Sequence, residues 1–248
     1  SNGKFLNVLD LDIQNGKIKD FKFTLLPIFS DLIPENKEMK KYIEDVRLPY
    51  LKELTRPIAT TEETLFRRGN FNGSWDQIIC DALLEVKNAQ ISLSPGFRWG
   101  TSVMKGQTIT FDDLMTQTAM TYPETYVRDI KGSDLKDILE DVADNLFNED
   151  PFYQQGGDMV RTGGISYKID PKAKMGSRIS DIVLSKTGEK LDASKSYKVS
   201  GWSTVGSKSE GEPVWETVEI YLKNIKNIKN IKIDTPDIVG VKGNPGII

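Results

Sequence analysis

The chain contains no histidine. That absence removes the Ser-His-Asp and Cys-His catalytic groups, and every His-ligated zinc or manganese site this chain could build alone. Acid–base work is left to Asp, Glu, Lys or Tyr, or to another segment. Cysteine is nearly absent as well. Cys80 stands alone, so no intrachain disulfide can form and the redox compartment goes unmarked. A net charge of −3 over 248 residues provides no basic field, which disfavours binding along a phosphate backbone. No apolar run reaches the roughly 18 residues of a membrane span. The N-terminus lacks the basic and apolar regions of a signal peptide, and its abrupt opening on a strand points to a piece of a longer protein.

What is present suffices for a sizeable core, with 38% hydrophobic and 28% charged residues. "KFLNVLDLDI" and "KIKDFKFTLLPI" flank "QNGK", whose Asn15-Gly16 pair predicts a tight β-hairpin. Two strands alone are marginal in water, so the hairpin needs a sheet to join. "PENKEMKKYIEDVRLPYLKEL" predicts a helix with Met39, Tyr42, Ile43 and Val46 on one face, interrupted near Pro49. "GSWDQIICDALLEV" predicts a buried helix capped by Ser74, with Gln77 at capping-box spacing. Further helices are expected in "TFDDLMTQ", capped by Thr110 and Asp113, in "SDLKDILEDVADNLF" from Ser133, and from Pro213. Strands are expected in "AQISLS", "TYVRDIKG", "ISYKID", "ISDIVL" and "SYKVSGWS". This irregular alternation favours an α+β fold with a mixed sheet and packed helices. The triplet repeat "KNIKNIKNIK" reads as a polar, solvated extension.

Three loops combine glycine with arginine: residues 66–73, "FRRGNFNG"; 94–100, "SPGFRWG"; and 154–164, "QQGGDMVRTGG". Glycine lets backbone approach a ligand, and arginine's planar fork pairs with two oxygens of a phosphate, sulfate or sulfonate. Each loop alone is adequately explained as a turn whose arginine meets a carboxylate. Three together suggest an oxyanion pocket, if they converge. Trp99, Tyr122, Tyr153, Trp202 and Trp215 flank element ends, where aromatics stack on flat ligands or simply pack. Cys80 reads as a small buried hydrophobe. Asp134, Asp137, Glu140, Asp141 and Asp144 read as a solvated helix face.

"RRGNFNGSWDQIICDAL", "SPGFRWG" and "EDVADNLFNEDPFYQQGGDMVRTGG" closely resemble the C-terminal region of the SoxB thiosulfohydrolases. These are enzymes of the bacterial Sox sulfur-oxidation system within the 5′-nucleotidase family. The opening "SNGKFLNVLDLDI" looks like the join between that family's two domains. The resemblance implies residues 1–30 as the end of an N-terminal metallophosphatase domain, 31–55 as a linker helix, and 56–248 as a 5′-nucleotidase-type C-terminal substrate domain. Two manganese ions are expected in the metallophosphatase domain and no cofactor in this piece, which alone is expected to be inactive.

The implied reaction releases sulfate hydrolytically from a cysteine S-sulfonate on the SoxY arm of the SoxYZ carrier, in the periplasm. Arg98, in the loop where nucleotidases carry a substrate arginine, is implied as the residue acting on the sulfonate. An earlier substrate arginine falls on Arg68 or Arg67, with Arg68 favoured. The nucleotidases' aromatic clamp falls at Tyr122 and Trp215. Trp99, Tyr153, Gly156 and Gly157 are expected along the passage for the carrier arm, with Asp158 and Arg161 pairing as a clamp within the loop. Ser94 stands where nucleotidases carry an asparagine, and "GEPVW" replaces Gly-Asp-Gly-Phe, departures that disfavour nucleotide. The alternatives are the substrate domain of a nucleotidase or other phosphoesterase, and a free-standing carrier-binding module.

Overall fold

The structure is a computed structural model and describes residues 3–29, 31–67, 69–97, 100–120, 122–155, 157–203 and 209–240. Two compact units divide the chain, Ser1–Glu53 and Leu54–Ile248. In the first, β1 (Phe5–Gln14) pairs antiparallel with β2 (Lys17–Pro27). Asn15 and Gly16 take φ of 52° and 75°, the paired positive angles of a type I′ turn. Helix α1 (Lys37–Arg47) opens at Asn36, whose side chain accepts the Met39 N–H at 2.8 Å. It stops before the 3₁₀ turn Leu48–Tyr50, which contains Pro49, and the short α2 (Leu51–Leu54) follows. The apolar face of α1 and most apolar residues of the hairpin are exposed.

The second unit runs through β3 (Pro57–Thr61), α3 (Ser74–Val86), β4 (Ile91–Ser94), β5 (Thr108–Thr110), α4 (Phe111–Thr118), β6 (Thr125–Lys131) and α5 (Gly132–Phe147). There follow β7 (Arg161–Gly163), β8 (Ile165–Ile169), β9 (Ile179–Leu184), β10 (Ser196–Trp202), α6 (Val214–Ile225), β11 (Asn227–Ile228) and β12 (Asp237–Ile238). The strands form sheets ordered β6-β10-β4-β7, β11-β3-β5 and β12-β8-β9. The fold is α+β, as expected. One core gathers Leu135, Leu139, Ile165, Ile169 and Val199; the other gathers Trp75, Ile79, Leu83, Leu114, Trp202 and Val218. Helix α3 packs on α6, β4 and β7 and is buried almost all round, consistent with its near-continuous apolar sequence.

Several local expectations are corrected. Ser74 does not cap α3; Gly73 does. The Ser74 hydroxyl instead accepts the Phe66 N–H at 2.9 Å and donates to the Thr64 carbonyl at 3.1 Å. Helix α5 starts one residue before Ser133, and carbonyls of Lys195 and Ala193 accept its first N–H groups. Arg161–Gly163 is a strand rather than loop, and β3 and β5 lie in stretches without clear alternation.

Glu140 is not on a solvated face. Its carboxylate is buried and accepts the N–H groups of Gly176, Arg178 and Ile179. The triplet repeat is no free extension, because it forms the end of α6 and β11, with Ile228 in the core. Here the tertiary environment, absent from local pattern, supplied the deciding partners.

Candidate functional site

Parallel pairing of β4 with β10 brings their carboxyl ends together, with Leu93 beside Gly201. Antiparallel pairing sets Thr125 beside Trp202 and Arg161 beside Ser94. One end of this sheet therefore carries Thr125, Trp202, Ser94 and Arg161 in a row. The Trp202 indole N–H donates to Ser94 Oγ at 2.8 Å, and Phe97 meets the Trp202 ring edge-on at 6.4 Å. That contact orients the start of the "PGFRWG" loop.

The three glycine–arginine loops converge here. Arg67, from the first loop, donates through Nη2 to the Pro95 carbonyl of the second at 3.1 Å. Its Nη1 donates to the Gln117 carbonyl at 2.8 Å, and its guanidinium lies over the Phe97 ring at 5.6 Å. Arg161, from the third loop, donates to the Gly69 carbonyl of the first at 2.8 Å. Gly96 of the second packs against Asp158 and Met159 of the third so closely that a Cβ would lie 2.4 Å from the Met159 carbonyl oxygen.

Asp76 holds the centre. Its Oδ1 accepts Arg67 Nε at 2.7 Å, and its Oδ2 faces Arg161 Nε at 3.5 Å. Asp158 pairs with Arg161 Nη2 at 3.0 Å. All four side chains are inaccessible or nearly so. Burial pushes the Asp76 carboxyl above its ordinary range, and the two guanidiniums oppose that. Removing one member of such a buried charge cluster typically costs about 3–5 kcal/mol.

Arg67, Asp158 and Arg161 thus direct their charge onto neighbouring loops within the protein. The expected Asp158–Arg161 pairing is present, extended by an unexpected third member. Arg68, Arg98, Trp99 and Gly156 lie outside the described residues. Gly157 takes φ of 93° with open space about it. Tyr153 is 67% exposed, beside Phe152 at 95%, on a turn tied by Asp150. Tyr122, half exposed, holds φ of 62°, a costly conformation for an aromatic residue.

Trp215 is partly buried against the second core. Its segment lies beside that of Tyr122: the Val214 N–H donates to the Pro123 carbonyl at 2.9 Å, and Glu124 bridges to Pro213. Asp76 and Gln117 were not among the sequence candidates. Asp76 reads as an ordinary acid in a first helical turn. The signal that could have found it is the pair of arginines, which need a carboxylate if buried.

The chain belongs to the 5′-nucleotidase C-terminal domain family, whose profile, described as "5'-nucleotidase, C-terminal domain", matches residues 57–217. Members of this family are hydrolases of the metallophosphoesterase type. Within it, the chain is similar to the solved sulfate thiohydrolase SoxB of Thermus thermophilus, in complex with glycerol. The identity is 29% over 99% of this chain and 47% of that one, with a TM-score of 0.88.

A 5′-nucleotidase precursor, also from Thermus thermophilus, shares the fold at 20% identity and a TM-score of 0.76, over 97% of this chain and 51% of that one. NAD nucleotidase of Haemophilus influenzae shares it at 13% and 0.60, over 95% and 53%. No curated protein matches. The chain spans about half the length of the solved structures it matches.

Proposed function

We propose that this chain is the substrate-binding half of a SoxB-like thiosulfohydrolase that releases sulfate from a cysteine S-sulfonate presented on the SoxY arm of a periplasmic SoxYZ carrier. The observation that carries the reading is the convergence of the three glycine–arginine loops around Asp76. The 29% identity to SoxB across nearly the whole chain supports it. In the reaction, water adds to the sulfonate sulfur and the bond from that sulfur to the carrier sulfur breaks. Sulfate leaves with the water's oxygen, the water's protons pass to solvent, and the carrier cysteine sulfur keeps the bonding pair as a thiolate. Arg98 would hold two sulfonate oxygens with its fork and stabilise the charge that gathers there. The Gly96–Asp158 contact and the Gln117 bond to the Thr101 carbonyl at 2.9 Å anchor the two ends of its loop.

Among the described residues, no group of three His, Cys, Asp or Glu side chains gathers to hold a metal. We assign the two manganese ions the family implies to an N-terminal metallophosphatase domain, because this chain has no histidine to offer as a ligand. The chain's own share is binding and orientation. The first unit supports such a partner domain. Its hairpin exposes Phe5, Leu9, Phe21 and Phe23, and a groove of about 470 Å³ is lined by Met39, Ile43, Leu48 and Leu51. A two-stranded sheet with this much exposed apolar surface needs cover. Among the described residues no helix is long and apolar enough to cross a membrane.

Carrier S-sulfonate and nucleotides, offered separately to the full-length enzyme, test the proposal. Sulfate release is expected from the first, with Arg98→Ala lowering turnover by about 100-fold or more. Efficient nucleotide hydrolysis without sulfate release would sink it. The adjacency of the Tyr122 and Trp215 segments favours one competing reading, a nucleotidase whose base lies between these rings. Quenching of tryptophan fluorescence by a nucleoside monophosphate, lost in Trp215→Leu, would support that alternative.

A further inference from the structure

The Lys-Asn-Ile repeat is a motif to which the substrate reading gives no role. Ile225, Ile228 and Ile231 pack on the second core, while Lys223, Lys226, Lys229 and Lys232 stay exposed. The first triplet closes α6, and the rest of the repeat runs on through β11. Lys226 and Asn230, at φ of 61° and 57°, re-aim it along the way.

Both ends of the segment are fixed. Strand β11 runs parallel to β3, and β12 runs parallel to β8, so the chain between them spans two sheets. Midway, Asp234 touches three elements. Its N–H donates to Gln77 Oε1 at 2.8 Å, and its carbonyl accepts Asn72 Nδ2 at 3.0 Å. Its carboxylate lies 3.5 Å from Gln77 Nε2, and the nearby Gly164 N–H favours its charged form. Asn72 belongs to the first glycine–arginine loop and Gly164 closes the third. Gln77 follows Asp76 on α3. Gly164 admits no side chain, because a Cβ there would lie 2.3 Å from the Gln90 carbonyl oxygen.

We propose that residues 227–238 form a strap that positions the converging loops, with Asp234 as its clasp. The strap acts on how the loops are held, and so does not depend on which anion they serve. Gln77 offers its amide to two carboxylates, Asp81 Oδ1 at 2.8 Å and Asp234. Facing Asp81 are Gln77 and Glu85 on its own helix, Asp234 on the strap with Lys232 near it, and Tyr221 on α6. Ser185 and Asn230 complete a cleft of about 570 Å³ that keeps this group in reach of water.

Burial pushes Asp81 up to about 6; the Gln77 hydrogen bond opposes the shift, and repulsion from Asp234 and Glu85 adds to it. A carboxyl raised by folding contributes stability that is present below its unfolded value and lost as the pH rises through the folded one. The clasp is therefore tighter below about pH 6 and weaker above it.

Hydrogen exchange of the full chain, corrected for intrinsic rates, tests both parts. Asp234→Pro, which removes the N–H donated to Gln77 together with the carboxylate, is expected to lower protection roughly tenfold in residues 69–73 and 158–164, about the size of one lost hydrogen bond, while α5 is unchanged. Loss confined to residues 227–238 would overturn the strap. Asn72→Ser supplies a reciprocal test, since coupling works both ways. It must raise exchange in residues 227–238, and unchanged strap protection would equally overturn the proposal. In the parent chain, loop protection is expected to fall between pH 5 and 7.5, and Asp81→Asn should make it flat. An unaltered slope in Asp81→Asn would remove the pH-dependent clasp.

Discussion

Asp76 and Arg161 face one another across 3.5 Å inside the protein, the second oxygen of a carboxylate whose first already accepts Arg67 at 2.7 Å. One acid therefore ties together two loops distant in sequence. Asp76→Asn would leave two buried guanidiniums sharing a neutral partner. The expected loss is about 3–5 kcal/mol, read as a lower urea midpoint at neutral pH. A loss below about 1 kcal/mol would show that the cluster does not hold the loops.

Gly96 tests the convergence by sterics rather than charge. A methyl group there would meet the Met159 carbonyl oxygen and Asp158 Cβ, both backbone-constrained. Gly96→Ala should force the second and third loops apart, costing roughly 1–3 kcal/mol. Substrate affinity in the full-length enzyme should weaken more than that of a surface variant of equal stability.

Glu140 organises a turn that carries no chemistry. Its carboxylate is 2% exposed and accepts three backbone N–H groups from residues 176–179. Glu140→Gln keeps the shape and loses the charge, and places a donor among donors. The expected cost is about 1.5–3 kcal/mol, with faster exchange at Gly176 and Ile179 before the rest of β9 opens.

The acid limb of stability has a named contributor in Asp144. Hydrogen bonds from Arg178 and Asn148 hold its carboxyl below the ordinary carboxylate value. A lowered carboxyl contributes stability that is present above its unfolded value, about pH 4, and lost as the pH falls through the folded one. Asp144→Asn should flatten the urea midpoint between pH 5 and 3. An unchanged acid slope would show that this pair does not titrate with folding.

Much of the architecture was legible because it is local. Asn15-Gly16 needs only its own backbone angles to make a turn, and Thr110 with Asp113 closes a capping box within four residues. Cys80, amid apolar neighbours on α3, is buried as its surroundings predict, and burial pushes its thiol up. Where local patterns misled, a distant partner had intervened. Ser74 left its capping role for Phe66 and Thr64, and Glu140 turned inward because three N–H groups of residues 176–179 awaited it.

The sequence by itself determined most of the helices and the longer strands, the family resemblance and the exclusion of histidine chemistry, since these rest on residue identity and short-range spacing. Only the tertiary structure decided that the three glycine–arginine loops meet, that Asp76 joins them, and that the Lys-Asn-Ile repeat lies as a strap along the core. Those facts depend on contacts between residues as far apart as Asn72 and Asp234. Such contacts form only when burial removes the competing hydrogen bonds of water, and composition carries no record of which partners will then be adjacent.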